Sequence, residues 1–187
     1  MFRNILVCIL GLMVFATPAA AREAAYFAVG LAQSQTEANG ATYSGVSYSV
    51  LLGAQFSPNL AVEAEYTDHG ELSDDKNNKI SASSKGIALL LLQPLSRRAS
   101  VYAKIEAAQV SSIMSGTTVS GISNSLSTMP YGVGLQYEAT RNTTLRLFAE
   151  TGYNYQVNGS TTGTVTATNY SFGGSIYRVG LSSLYTF

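Results

Sequence analysis

The alternation that decides the fold is clearest in Leu60-Ala61-Val62-Glu63-Ala64-Glu65-Tyr66. The larger apolar side chains of this stretch occupy even positions, whereas Glu63 and Glu65 occupy odd ones. Because successive side chains of a β-strand point to opposite sides, a period of two places the two sets on opposite faces. The stretch therefore predicts a strand with one apolar and one charged face.

The same period recurs along the chain after about residue 25 and predicts eight strands. They span residues 26–34, 44–56, 59–68, 83–93, 99–110, 129–139, 143–155 and 173–187. Short connections fall at 57–58, 94–98 and 140–142, and long ones rich in Ser, Thr, Asn and Gly at 35–43, 69–82, 111–128 and 156–172. Short turns that alternate with long polar loops are typical of an outer-membrane barrel.

Residues 1–21 have the pattern of a secretory signal peptide. Arg3 is its basic start, residues 5–16 are its apolar core, and Ala19 and Ala21 form a small-residue cleavage site. The apolar core is shorter than the roughly 20 residues of a transmembrane helix. We therefore expect a mature barrel domain of residues 22–187.

Composition and charge limit the classes of function that the chain can have. Charged residues make up 12% of the chain, about half the usual share for a soluble domain. The formal net charge is +0, which gives no indication of a nucleic-acid partner. The one cysteine, Cys8, lies in the signal core, so the mature chain offers no disulfide framework and no Cys-based metal site. No cofactor is expected.

The polar face carries charges of both signs. Its members are Glu63, Glu65, Lys104, Glu106, Arg146, Glu150 and Arg178. The apolar face has aromatic residues at both ends. They are Phe56, Tyr137, Tyr185 and Phe187 near the short turns, and Tyr48, Tyr66, Tyr153 and Tyr177 near the long loops. Such rings suit the two membrane interfaces. We predict an all-β fold, an eight-stranded antiparallel up-and-down transmembrane β-barrel with its apolar face toward lipid. The alternative is a soluble β-sandwich with the faces reversed.

Side chains nearly fill the lumen of an eight-stranded barrel. A buried charge without a partner is costly, so the seven polar-face charges are expected to pair across the lumen. The hypothesis is an internal network with a structural role rather than a transport role.

Several segments resemble the OmpA/OmpX-type outer-membrane barrels. They are residues 52–66, 66–70, 92–104, 131–137 and 185–187. The resemblance implies that the barrel is a monomer in contact with outer-membrane lipid and lipopolysaccharide. It implies that the loops are extracellular and the termini periplasmic. It also implies that the barrel-assembly machinery, with periplasmic chaperones, reads Tyr185 and Phe187. Many relatives continue into a peptidoglycan-binding domain; this chain ends at Phe187 and is expected to be nearer the stand-alone barrels.

Several functions remain open at this point: a structural barrel, a surface protein that binds host factors or confers serum resistance, and more weakly a small pore or a lipid A-modifying enzyme. An enzyme is not expected. His69, beside Asp68 and near Ser73 and Asp74, is interpreted as a solvated loop histidine. The run 74–78 is interpreted as a solvated loop tip rather than a cation or lipopolysaccharide contact.

Overall fold

This computed structural model describes residues 24–38, 40–73, 79–116, 119–122, 124–161 and 168–187. The strands are β1 (Ala24–Ala38), β2 (Ala41–Ser57), β3 (Leu60–Ser73), β4 (Lys79–Pro94), β5 (Ala99–Gly116), β6 (Val119–Ile122), β7 (Asn124–Thr128), β8 (Tyr131–Glu138), β9 (Thr143–Thr161) and β10 (Thr168–Thr186). The predicted signal peptide with Ala19 and Ala21, and the predicted loop tip 74–78, lie outside these residues.

Antiparallel pairing of neighbours closes the sheet into a barrel. β5 pairs in turn with β6, β7 and β8, so these three segments together form the sixth strand of the barrel. β1 pairs with β10 from Tyr26 opposite Thr186 to Thr36 opposite Ile176, which removes the sheet edges. The chain is an eight-stranded antiparallel barrel, as the alternation predicted. Among the described residues, no helix is long and apolar enough to cross a membrane.

The two faces are assigned as the period predicted. Leu52, Ile87 and Leu181 point outward with 63%, 64% and 62% of their surface exposed. Glu63 and Lys104, by contrast, point into the lumen and are buried. The exposed belt is therefore apolar and the interior at the same height is charged, which is the arrangement of a membrane barrel.

The strands are longer than predicted. The segments 35–43, 69–82, 111–128 and 156–172 were predicted as long loops, but β1 runs to Ala38, β3 to Ser73 and β4 begins at Lys79. Inward and outward burial alternates in these segments where side chains are described, with Thr36 and Ala38 inside and Glu37 outside. Ser and Thr are frequent there instead of apolar residues. The period of two therefore continues, but the two faces of the strand do not differ in hydropathy. The prediction of loops at these positions was wrong over most of their length.

Two glycine bulges change the facing of the strands near their upper ends, the ends away from the short turns. Gly70 in β3 and Gly152 in β9 have φ of +72° and +89°, and each lies at a register shift. An extra residue in one strand reverses the side to which later residues point. Tyr153, predicted on the lipid face, is therefore buried in the lumen with 1% exposed.

The interior is layered along the barrel axis. Near the short turns it is lined by a small apolar cluster around Tyr26, and a second cluster around Phe148 reaches the level of the charged residues. The charged residues follow. Above them lies a third apolar cluster, which we call the upper core; it comprises Ala38, Tyr43, Leu72, Ile80, Ala82, Val110, Tyr153, Tyr155 and Ile176.

Candidate functional site: a charge network in the lumen

The seven predicted charges lie in the interior between the short turns and the upper core. Glu63 and Glu65 project from β3, Lys104 and Glu106 from β5, Arg146 and Glu150 from β9, and Arg178 from β10. Each is at most 7% exposed. Residues two apart on a strand share a face, so the pairs on β3 and β5 point into the lumen, as do Arg146 and Glu150, four apart on β9. We call this set, with Tyr153, the lumenal network.

Lys104 is the centre of the lumenal network. Its Nζ donates to a Glu65 oxygen and to Glu150 Oε1 at 3.0 Å, and it lies 3.1 Å from Glu106 Oε2. The ammonium group therefore faces carboxylates from β3, β5 and β9. One side chain thus links three walls of the barrel electrostatically.

Arg178 completes the upper part of the network. Its Nη1 and Nη2 both lie 3.2 Å from Glu65 Oε1, and Nη1 donates to Thr67 Oγ1 at 2.7 Å. Nη2 also forms an ion pair with Glu150 at 3.6 Å. The contacts with Glu65 and Thr67 tie β10 to β3 through the lumen, whereas Glu150 lies opposite Arg178 on the neighbouring strand β9.

Tyr153 is the member that the sequence analysis missed. Its hydroxyl lies 2.7 Å from Glu150 Oε2 and 3.2 Å from Glu106 Oε2. The hydroxyl group supplies a donor between two carboxylates, which reduces their mutual repulsion. The signal that could have identified it is Gly152, because an isolated glycine inside a strand pattern indicates a bulge.

A second part of the network lies closer to the short turns. Arg146 Nη1 donates to Glu63 Oε1 at 2.8 Å, and the hydroxyl of Tyr26 donates to the same oxygen at 2.6 Å. The Gln136 side chain accepts from Arg146 Nε and Nη2 at 3.3 and 3.1 Å. The Arg146 guanidinium also lies 4.8 Å above the Tyr102 ring, a cation–π distance.

The charge balance shows what this arrangement can do. The network holds four carboxylates and three cations, and every cation has at least one carboxylate partner. Removal of a single cation would leave buried carboxylates without compensation, which costs several kcal/mol. On the side of the short turns, a cavity of about 410 Å³ reaches inward as far as Tyr26 and Arg146. The network thus separates this cavity from the upper core.

His69 is not the solvated loop residue that was predicted. It lies in β3 with none of its surface exposed, and its Nε2 is 3.0 Å from Ser84 Oγ. Its ring meets the Tyr153 ring edge-on with 5.0 Å between centroids. The position follows the inward phase of Glu63, Glu65 and Thr67, which continues one residue further than the predicted end of the strand.

The two residues of the predicted assembly signal lie on the outer surface of the barrel wall, not in the lumen. Tyr185 and Phe187 both point outward, with 52% and 77% of their surface exposed. Their rings meet edge-on with 5.6 Å between centroids. They form an aromatic pair at the end of β10, in phase with the apolar face.

Comparison with known proteins agrees with this architecture. Neisserial surface protein A superposes with a TM-score of 0.61 at 14% identity, covering 87% of this chain and 97% of that one. The N-terminal barrel of Pseudomonas aeruginosa OprF gives 0.56 at 11% identity, over 86% and 97%. Ail, the attachment invasion locus protein of Yersinia pestis, gives 0.53 at 16% identity, over 88% and 99%. At these identities the likeness concerns the fold.

No relative is found among curated protein sequences. The family described as "Outer membrane protein beta-barrel domain" matches residues 7–175, which is most of the chain. Together with the closed barrel, this match confirms the resemblance to OmpA/OmpX-type proteins and a location in the bacterial outer membrane. The chain belongs to the outer membrane protein β-barrel family.

Proposed function

We propose that this protein is a plugged barrel that holds a rigid platform of β-hairpins at the cell surface for attachment or another binding role. The observation that carries the proposal is the upper core. Leu72, Ile80 and Ile176 have none of their surface exposed, whereas most outward residues at this end, such as Gln35 and Glu37, are polar. Ile113, opposite Ser81, is an apolar exception. Apolar inside and polar outside is the pattern of a structure that stands in water. The hairpins therefore extend beyond the membrane as packed structure.

The plug is the second part of the proposal. Ion pairs that bridge β3, β5, β9 and β10 fill the lumen at the level of the apolar belt. A small pore is the competing function, and single-channel recording in planar bilayers separates the two. We expect no large steady conductance from the wild-type protein. A stable open level of the wild type would favour the pore.

The orientation is also proposed: hairpin ends outside the cell and short turns in the periplasm. It can be tested with single cysteines, since the only native cysteine, Cys8, lies in the signal segment that we propose is removed after Ala21. A membrane-impermeant maleimide applied to whole cells should label Ser81→Cys at the hairpin end but not Ser96→Cys at a short turn. The reverse labelling would contradict the proposal. The mass of the purified protein should give Arg22 as its first residue.

The hairpin surface favours a ligand held by hydrogen bonds rather than by charge. At this end Lys79 is already 2.5 Å from Glu71, and Asp68 and Glu37 are the other exposed charges of β1 and β3. Ail has been crystallised with the heparin analogue sucrose octasulfate. The described hairpin surface of this chain, with its acidic residues, does not match such a polyanion. We therefore expect adhesion that depends little on salt.

Outward-facing substitutions test the platform. Gln35, Ser81 and Ser83 point outward near the hairpin ends and outside the upper core. Replacement of all three by Lys should lower adhesion or serum survival while the heat-dependent gel shift of the folded barrel is retained. The matched control replaces Ser96 and Thr140 at the short turns by Lys. Equal behaviour of both variants and wild type would favour a purely structural role.

Catalysis is not part of the proposal. His69 and Ser84 are within hydrogen-bond distance, but both are buried between the lumenal network and the upper core, away from the lipid substrate that an enzyme of this kind would need. We expect cells that carry His69→Ala to have lipid A of unchanged mass. A change in lipid A that requires intact His69 would revive the enzyme hypothesis.

A further inference from the structure

The outer wall of the barrel has a depression at the upper border of its apolar belt. It has a volume of about 730 Å³ and spans β4, β5, the sixth barrel strand and β9. Gly86, Ala107 and Ala108 contribute little side-chain bulk to its floor. The wall is also interrupted here, because the sixth strand breaks at Met129 and Pro130 between β7 and β8. We call this depression the wall groove.

The wall groove is amphipathic across its height. Lys85, Gln109, Ser127 and Asn154 form its upper row, and all four point outward. Lys85 lies opposite Gln109, and Gln109 opposite Ser127, so these three share one level of neighbouring strands. The lower row is apolar.

The lower row consists of Ile87, Ala107 and Met129. Ile87 lies opposite Ala107, and Ile87 and Met129 are 64% and 66% exposed. On β4, Lys85 is the first outward polar residue above Ile87, Leu89 and Leu91. The boundary between the two rows is therefore the boundary of the apolar belt, where a lipid headgroup meets its acyl chains.

Lys85 is available to an anion. Within the described ranges it takes part in no ion pair, whereas Lys79 is paired with Glu71 and Lys104 with three glutamates. The nearest outward acid on β3 is Asp68, whose Oδ1 accepts the Gly70 amide at 2.9 Å. A phosphate beside the Lys85 ammonium would be a charge-assisted contact at the membrane interface, where it is stronger than in bulk water.

We infer that the wall groove is a binding site for the phosphorylated glycolipid of the outer leaflet, with a phosphate on Lys85, sugar groups on Gln109, Ser127 and Asn154, and acyl chains on the lower row. The width favours this occupant over a phospholipid with one phosphate. The polar row crosses four barrel strands and is about 14 Å wide, since neighbouring strands lie about 4.8 Å apart. The inference depends on the proposed orientation and is independent of the hairpin platform.

Native mass spectrometry of the intact barrel in zwitterionic micelles tests the site with bisphosphorylated lipid A as the probe. We expect wild type to retain lipid A and Lys85→Gln to retain about tenfold less, the effect of one lost charge-assisted contact. The matched control Lys79→Gln removes a paired lysine above the groove and should behave as wild type. Ala107→Phe fills the groove and should also lower retention with Lys85 intact. Folding of each variant is checked by its heat-dependent gel mobility.

Three results would overturn the inference. Equal retention by Lys85→Gln and wild type would remove the phosphate contact. A loss in Lys85→Gln with no loss in Ala107→Phe would mean attraction to a surface charge without a groove site. Equal retention of phosphatidylglycerol and lipid A would exclude the glycolipid as the specific occupant. Each readout is made without cells, so failure here is distinct from failure of the adhesion experiments.

Discussion

Replacement of Lys104 by Met is the sharpest test of the lumenal network. Met keeps an unbranched apolar side chain and removes the ammonium group, so the change is mainly electrostatic. Glu65, Glu106 and Glu150 lose their shared partner, and the side chain of Lys104 is only 2% exposed. Removal of one partner from a buried ion pair costs about 3–5 kcal/mol. Because three carboxylates are affected, we expect a loss of unfolding free energy at the upper end of that range.

A matched lysine is available in the same protein. Lys79 pairs with Glu71 at 2.5 Å, but the two side chains are 44% and 51% exposed. Exposed pairs contribute about 0–1 kcal/mol, so Lys79→Met should change little. The comparison holds the residue type and the substitution constant and varies only burial.

Urea unfolding in thin-lipid vesicles is the assay. The chain contains no Trp, so the folded fraction is followed by the heat-dependent gel shift or by circular dichroism rather than by tryptophan fluorescence. Equal losses below about 1 kcal/mol for both lysine variants would refute the reasoning, since that is the value of a solvent-screened pair. The lumen would then be hydrated rather than a dry plug. The double variant Lys104→Met with Glu106→Leu should recover about 1–3 kcal/mol, because one uncompensated charge is removed.

Other predictions address the wall, a bulge and assembly. Leu147 is half exposed on the apolar face, and Leu147→Arg should cost about 2–4 kcal/mol in the urea assay if it lies near the midplane, against about 0–1 for Ser83→Arg above the belt; equal values would reject the facing. Gly152 has φ +89°, and Gly152→Val should destabilise by about 1–2 kcal/mol or more, whereas Thr151→Val beside it should be tolerated; an unchanged midpoint would show that the bulge can relax. Deletion of Phe187 should reduce the amount of folded protein in the outer membrane, while Phe187→Tyr should preserve it; unaffected levels after deletion would leave the assembly signal elsewhere.

The sequence was sufficient for the barrel and insufficient for the length of its strands. Glu63 and Glu65 against Val62 and Tyr66 differ strongly in hydropathy, so a period of two is visible and fixes both strand and facing. Above the membrane the alternation continues in residues such as Gln35 and Thr36, which are polar on both faces. The period is present there, but hydropathy does not mark it.

The members of the network were predictable and their partners were not. Alternation assigns Lys104 and Arg178 to the interior, but the choice of carboxylates depends on how the strands meet across the lumen. Sequence spacing carries no information on the contacts that β3 makes across the lumen with β5 and β10. Tyr153 was assigned to the wrong face because one inserted residue reverses the phase. The glycine at 152 was a visible signal of that insertion.

The wall of the barrel obeys opposite rules below and above the level of the two bulges. Below Gly70 and Gly152, the wall is apolar outside and charged inside, as lipid requires. Above them, Leu72 and Tyr155 turn inward into the upper core, as water requires. The bulges lie on opposite sides of the lumen, and His69 and Tyr153 beside them are in ring contact at 5.0 Å. β3 and β9 change phase at this level with a local shift in pairing, whereas β4, with Ile80 and Leu90 both inside, keeps its phase throughout. The plug and the platform are then one structure: the network fixes the walls below, and the upper core, which shares Tyr153 with it, is held in register above.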